Sequence, residues 1–519
     1  MPGDPDVAVI GGGHNAGVAA AYLARAGLRV VVCEARDRFG GAVAGEPVFP
    51  GVAATLSRFS YLVSLLPDRI VDDLGLAIEL RSRPVASYTP VGDDGIFVER
   101  PEGDETAVSF ARLAGSADYP AWGRFHDQLT DVAAAIAPTL TEPLPTADEV
   151  RALIDPELWR GLVERPLDEL LRTRFSSDVV RGIVATDALI GTDTRLDDPS
   201  LRQNRCFLYH VIGNGTGEWR VPVGGMGTVA AAIHRAALDA GAEVRLGTRV
   251  EAVRAEGDTR VLDLADGTEL RAGLVLANCA PAVLDRLRGR TPAEVAEGTQ
   301  IKINMVLRRL PRLRSGRDPE QGFAGTLHLH QSATELARAA DAAAAGRIPD
   351  PLPCEVYCHT LTDRSILAEG LDTAGWHTLT LFGLHTPARL FRADPEGTRD
   401  LVRDAALRSL QHALAEPLED CLATDVNGRP CVEAMSPLDV EAELGMPGGQ
   451  IFHGDLSWPW LAGPDAPRTA AERWGVGTDD PRILLCGSGA VRGGAVSGLG
   501  GHNAAQAVLE LLDHGPGDK

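Results

Sequence analysis

The sequence predicts an α/β fold, α+β overall, in which a parallel-stranded nucleotide domain built from separated stretches alternates with a second domain of mixed character. Three observations predict it. Val7-Ala8-Val9-Ile10 reads as a buried parallel strand and runs directly into the turn Gly11-Gly12-Gly13-His14-Asn15-Ala16-Gly17. Glycine turns and buried strands return near Pro222 and Arg482, far along the chain. Finally, 519 residues with 44% hydrophobic content exceed what one core usually serves.

The elements follow in order. After the first turn, an alanine-rich helix from about Ala16 to Ala26 stops at Gly27, and Leu28 to Glu34 is a second strand ending in an acid. The stretch 68–214 is irregular and rich in Arg and Asp, with helical runs at Ala121 to Ala137 and Pro156 to Arg174, and reads as an inserted domain. The run Gly224-Gly225-Met226-Gly227 opens a helix to about Ala240, followed by strands around Val244, Val250, Leu262 and Val275, with Asp266-Gly267 as a hairpin turn. Ile301 to Leu307 and Trp376 to Leu384 read as strands of a sheet roofing a pocket. Arg482 to Gly487 is another buried strand, and a helix spans about Leu499 to Leu512. This assigns 1–67, 215–290 and 446–519 to the nucleotide domain and 68–214 and 291–445 to a substrate-binding domain. No 20–50-residue repeat is evident, and the alanine run 339–345 reads as a short helix or loop.

Composition excludes several functions. Lys plus Arg total 50 and Asp plus Glu 72, a net charge of −22 that repels polyphosphate backbones, so nucleic acid is not an expected partner. The eight cysteines (33, 206, 279, 354, 358, 421, 431, 486) form no CxxC pair and no cluster with histidine, so neither a disulfide framework nor a metal site is expected. Met1 to Asp6 runs into the first strand without a signal-like segment, and no run of ~18 apolar residues occurs. A cytoplasmic location with no membrane span is the expectation; peripheral membrane contact stays open, as does the oligomeric state.

Gly11-x-Gly13-x-x-Ala16 follows a strand and opens a helix, and Glu34 lies 21 residues beyond Gly13 at the end of the next strand. Gly11 allows the tight turn, Gly13 lets a pyrophosphate approach the backbone, Ala16 keeps helix and strand close, and the helix N-terminus offers N–H groups to phosphate. Glu34 suits a ribose 2′-hydroxyl. This Rossmann-like unit predicts a bound dinucleotide.

The continuation Glu34-Ala35-Arg36-Asp37-Arg38-Phe39-Gly40-Gly41 resembles the signature of the FAD-binding amine oxidase and phytoene desaturase superfamily. Arg36 then reaches the adenosine or pyrophosphate side, and Gly40-Gly41 passes the ribityl-phosphate region. Many members carry Arg where this chain has Ala42. The distant run Cys486-Gly487-Ser488-Gly489, followed by Arg492 through Ser497-Gly498-Leu499 to Asn503, resembles the C-terminal flavin-contacting motif, whose helix would aim its positive end at the flavin pyrimidine edge. Val250 matches the residue whose backbone contacts adenine in relatives. Ser57-Arg58-Phe59-Ser60-Tyr61, Pro222 to Gly227, Ala277-Asn278 and Gly448 to Asp455 are similar to the branch with bacterial-type phytoene desaturases, retinol saturase and pyridine nucleotide-disulfide oxidoreductase domain-containing proteins. The resemblance implies FAD as cofactor, with Gly11, Gly13, His14, Asn15, Ala16, Glu34, Ala35, Arg36, Gly40, Gly41, Ala42, Ser57, Val250, Gly487, Ser488, Ser497, Gly498 and Leu499 around it.

The implied activity is that of an FAD-dependent oxidoreductase that dehydrogenates a C–C or C–N bond of an apolar small molecule by hydride transfer to flavin N5, with reoxidation by oxygen or a quinone-like acceptor. No second glycine-rich βαβ unit offers a place for NAD(P)H. A flavin amine oxidase, an FAD-dependent isomerase without net redox change and a catalytically silent flavin-binding partner remain alternatives; the first usually sets aromatic rings beside the flavin, and Leu499 occupies one such place. Lys302 and Lys519 are the lysines of the chain, and Lys302 lies in a strand resembling the one whose lysine holds a water against N5. Strand alternation puts Lys302 on one face with Gln300 and Asn304. Lys302 and His210 are therefore the candidate catalytic residues. His453 and His502 are open to a general-base or a structural role, and Trp458-Pro459-Trp460 lines a pocket or pins a loop.

Overall fold

The computed structural model describes residues 4–292, 295–461, 463, 467 and 469–513. Val7–Ile10 is buried at every position because it lies inside a five-stranded, all-parallel sheet. The strand order is Ile483–Leu485, Leu274–Ala277, Val7–Ile10, Val30–Cys33, Glu243–Arg245. Apolar residues with no alternation suit this place, since layers cover both faces. Helix His14–Arg25 packs between helices Met226–Asp239 and Leu499–Asp513. Its alanine-rich surface lets the last of these come very close: a Cβ on Gly501 would overlap the carbonyl oxygen of Asn15. A three-stranded antiparallel sheet, Val250–Glu256, Thr259–Leu264 and Glu269–Ala272, adjoins it, and Gly267 at φ +82° makes the tight turn between the last two strands.

The second sheet has seven strands in the order Val432–Met435, Ile301–Leu307, His377–Gly383, Cys354–Tyr357, Thr326–Leu329, Val85–Val91, Asp94–Glu99. All neighbours are antiparallel except Thr326–Leu329 and Val85–Val91. Alternation divides its faces. Ile301, Ile303, Met305, Leu327, Leu329, Cys354, Val356, Leu379 and Leu381 form one apolar core. The register aligns His328, Glu355, Phe382 and Lys302 in a row across four strands on the opposite face.

One difference from the sequence reading stands out. The stretch read as irregular contains the hairpin Val85–Val91 and Asp94–Glu99, whose Pro90 and charged turn obscure the strand pattern. Tyr22 OH of the first helix donates to Asp73 of helix Asp68–Leu74 at 2.8 Å. Ala339 to Ala344 belong to a regular helix, Ala333–Ala344, opened by a capping box between Ser332 and Glu335.

Candidate active site

A cavity of about 870 Å3 runs from the first glycine turn to the polar face of the seven-stranded sheet. At its nucleotide end, Gly11 sits at φ +91°, which favours glycine, and Gly13 stands close to Asn278, where an added Cβ would lie 2.9 Å from Nδ2. The helix that follows has Gly13 as its N-cap, with no side-chain cap and no acid in its first turn, which leaves backbone N–H groups for an anion. Glu34 accepts from the Gly12 N–H at 2.6 Å and from the Arg36 N–H at 2.7 Å, which locks its carboxylate at the cavity wall. The remaining lone pairs suit ribose hydroxyls. Asn15 Oδ1, His14 Nε2 and Arg36 Nη1 are buried there without a protein partner, as expected of groups that a bound dinucleotide satisfies. Burial pushes His14 down to about 4, so it is a neutral imidazole beside the phosphate path. Ala35, Gly41, Ala42, Val250 and Ser488 also line the cavity. The donor set fits FAD.

Not every expected residue reaches that surface. Ala16 and Gly40 stand behind it, the first buried between helix and strand, the second at φ +115° with its N–H on the Gly12 carbonyl. Ser57 turns away, and its hydroxyl accepts from the Met226 N–H at 3.1 Å. Gly487 packs against the Asn278 backbone, Ser497 accepts from the Leu499 N–H, Gly498 sits at φ +72° and Leu499 is fully buried in the core. In this motif Ala495 and Val496 form the wall instead. His453 lines the cavity, driven to about 4 by burial with His14 adding to the shift. His502 bonds the Thr141 carbonyl and is structural. Trp460 stacks on Trp458 at 5.1 Å and meets Trp159 in a tilted contact at 5.3 Å, away from the cavity, so these rings pin a loop.

The sheet end gathers buried titratable groups and aromatic rings. His210 lies in helix Arg202–Ile212, buried, with Nδ1 2.9 Å from the Cys206 carbonyl oxygen. A carbonyl cannot donate, so Nδ1 carries the hydrogen, and Nε2 holds the lone pair in an imidazole that lines the cavity. The ring stacks on Trp219, 5.0 Å between centroids. Burial acts to lower its pKa, but Cys206 and Glu355 outweigh burial and leave it above the ordinary 6.5. Across the cavity, Glu355 accepts from the Thr186 hydroxyl at 2.8 Å and from Tyr357 OH at 2.6 Å. Tyr61, Gln300, His328, Phe382 and Asp187 complete this end, and burial alone lifts Asp187 to about 7. Sequence reasoning missed Glu355, His328, Gln300 and Asp187 as site residues. A lone acid in the apolar run Cys354-Glu355-Val356-Tyr357 was the readable signal for Glu355.

The structure does not bring Lys302 to the cavity surface. Its ammonium donates to the carbonyls of Ser57 and, at 2.8 Å, Ser60, and lies 5.4 Å above the Phe382 ring. The loop 57–60 crosses over Lys302, so the side chain ends beneath that loop while Gln300 faces the cavity. Burial depresses Lys302 to about 7, with Glu433 opposing and Arg58 adding to the shift. Lys302 is a positioning residue for the loop that presents Ser60 and Tyr61. Lys302→Met is expected to cost about 2 kcal/mol of stability by orphaning two carbonyls and to weaken flavin retention. The pH profile of turnover should stay unchanged, and thermal unfolding, flavin content and a pH series check this together.

The chain matches the family described as flavin containing amine oxidoreductase over residues 16–341. It is 49% identical over 524 residues to an uncharacterized protein of Mycobacterium tuberculosis (strain ATCC 25618 / H37Rv), with 98% of each chain covered. It is 31% identical over 566 residues to pyridine nucleotide-disulfide oxidoreductase domain-containing protein 2 of Mus musculus, covering 98% of this chain and 94% of that one. Among solved structures, cyclohexylamine oxidase from Brevibacterium oxydans IH-35A superposes with a TM-score of 0.58 at 17% identity, covering 99% of both chains, a likeness of fold. With a cradle whose unpaired groups suit a dinucleotide and a family match across more than half its length, the chain belongs to the flavin-containing amine oxidoreductases and is an FAD-dependent oxidoreductase.

Proposed function

We propose that this oxidoreductase dehydrogenates a C–C or C–N bond of a small molecule with an apolar body, the electrons leaving to oxygen or a quinone-like acceptor. One observation carries the reading. The cavity continues without a break from the dinucleotide cradle to a wall that combines aromatic rings with buried proton-accepting groups. FAD, when bound, supplies two-electron redox chemistry.

The chain's own residues supply the rest. Tyr61, Trp219, Tyr357 and Phe382 offer apolar surface that orients the substrate body and keeps water out. Removing two electrons and two hydrogens to form a double bond needs a proton acceptor, and Nε2 of His210 takes that proton. Its Nδ1–H, held on the Cys206 carbonyl, fixes the acceptor tautomer throughout.

The test is anaerobic mixing of the holoprotein with a panel of amines, cyclic alkenes, long-chain polyenes and apolar carboxylic acids, followed by mass analysis of products. Bleaching of the flavin's visible band with a product two hydrogens lighter supports the reading. A product of unchanged mass identifies an isomerase instead, and a flavin that no compound bleaches removes the proposal.

A further inference from the structure

Arg83 is 5% exposed, yet its side chain lines the cavity at the sheet end. Among the described residues its hydrogen-bond partner is the Thr326 hydroxyl, 3.3 Å from Nη1, and its Nε has none. The neighbouring acids are engaged elsewhere or stand apart. Glu355 accepts from the Thr186 and Tyr357 hydroxyls and forms no ion pair with Arg83, Glu218 pairs with Arg100 at 3.3 Å, and Asp187 forms no ion pair among the described residues. The guanidinium carbon lies 5.5 Å from the centre of the Tyr357 ring, which holds the planar fork in one orientation. A buried guanidinium with no carboxylate hydrogen-bonded to it has unspent donors, and its planar fork matches a carboxylate with two parallel hydrogen bonds.

We propose that Arg83 is the carboxylate-recognition residue of the substrate site, so that the substrate is an organic acid with an apolar body. This rests on the reading above only in taking the sheet end of the cavity as the place where substrate binds. Arg100, also on the cavity wall beside Arg83, is paired with Glu218, so Arg83 is the guanidinium of this wall left for a ligand. The carboxylate anchors one end of the molecule on the sheet while the aromatic walls hold its body. A neutral analogue leaves the guanidinium buried and unmatched.

The experiment uses purified holoprotein and titration calorimetry with three acids, phenylacetate, 4-phenylbutyrate and octanoate, each beside its primary amide. At least one acid is expected to bind the wild type tenfold or more tighter than its amide. Arg83→Gln should lose at least tenfold for that acid and nothing for the amide, and Arg83→Lys should fall between. Flavin content, measured on each variant, should equal that of the wild type. The proposal is overturned if no acid binds the wild type, if amides bind as tightly as acids, or if Arg83→Gln, with its flavin intact, keeps wild-type affinity. Should Arg83→Gln fail to fold, the acid–amide comparison and Arg83→Lys decide. Calorimetry reads binding without turnover, so an acid that binds through Arg83 and never bleaches the flavin counts against the redox reading alone.

Discussion

Replacing Gly501 by alanine is expected to destabilise the protein by about 3 kcal/mol and to yield material that loses its flavin on purification. The added methyl would overlap the Asn15 carbonyl oxygen and sit 3.0 Å from Ala19 N, and both of these are backbone atoms of helix His14–Arg25. Backbone cannot swing aside as a long side chain can, so the two helices must separate. Separation drags Asn15 and the Gly13 turn away from the cavity they line. Thermal unfolding and the flavin-to-protein ratio measure both effects. Gly370→Ala is the control, because nothing lies within 4 Å of its added Cβ and it sits in a helix, where alanine is preferred. Equal melting of the two variants would show that the helices yield without cost.

The second large effect belongs to His210. His210→Gln should lower kcat/KM by ~10²- to 10⁴-fold once a substrate is in hand, the usual span for loss of a general base. Flavin content should not change, since His210 lies at the sheet end. In the wild type, protonation of Nε2 removes the acceptor, so kcat/KM falls as pH drops through a value above the ordinary 6.5. That acidic limb should vanish in the variant. A variant that keeps the wild-type rate and pH profile would assign the proton to Asp187, which burial lifts to about 7 on the same cavity wall.

The nucleotide half of the cavity was legible because its chemistry is written locally. Gly11, Gly13, Glu34 and the helix between them lie within a single βαβ unit, and the turn requires those residues at that spacing. The sheet end was not legible in the same way. His328, Glu355 and Phe382 come from three strands that are adjacent only in space, and strand pairing, which is not readable from local spacing along the chain, makes them neighbours. Lys302 shows both sides of this. Alternation gave its face correctly, but a loop from residues 57–60, more than 240 positions earlier in the chain, covers it. Arg83 carries no local signal in a stretch rich in arginine, and only the hairpin beginning at Val85 brings it against the cavity.

The interleaving of strands in the parallel sheet has a consequence for biosynthesis. Val7–Ile10 emerges from the ribosome with Val30–Cys33 close behind, but its other neighbour, Leu274–Ala277, follows more than 260 residues later, and Ile483–Leu485 later still. Until the segment carrying Ser488, Ala495 and Val496 is in place, the cofactor has no closed wall to meet. Nascent chains arrested before residue 480 should therefore remain protease-sensitive even with FAD in excess, and acquire resistance only on release of the full length.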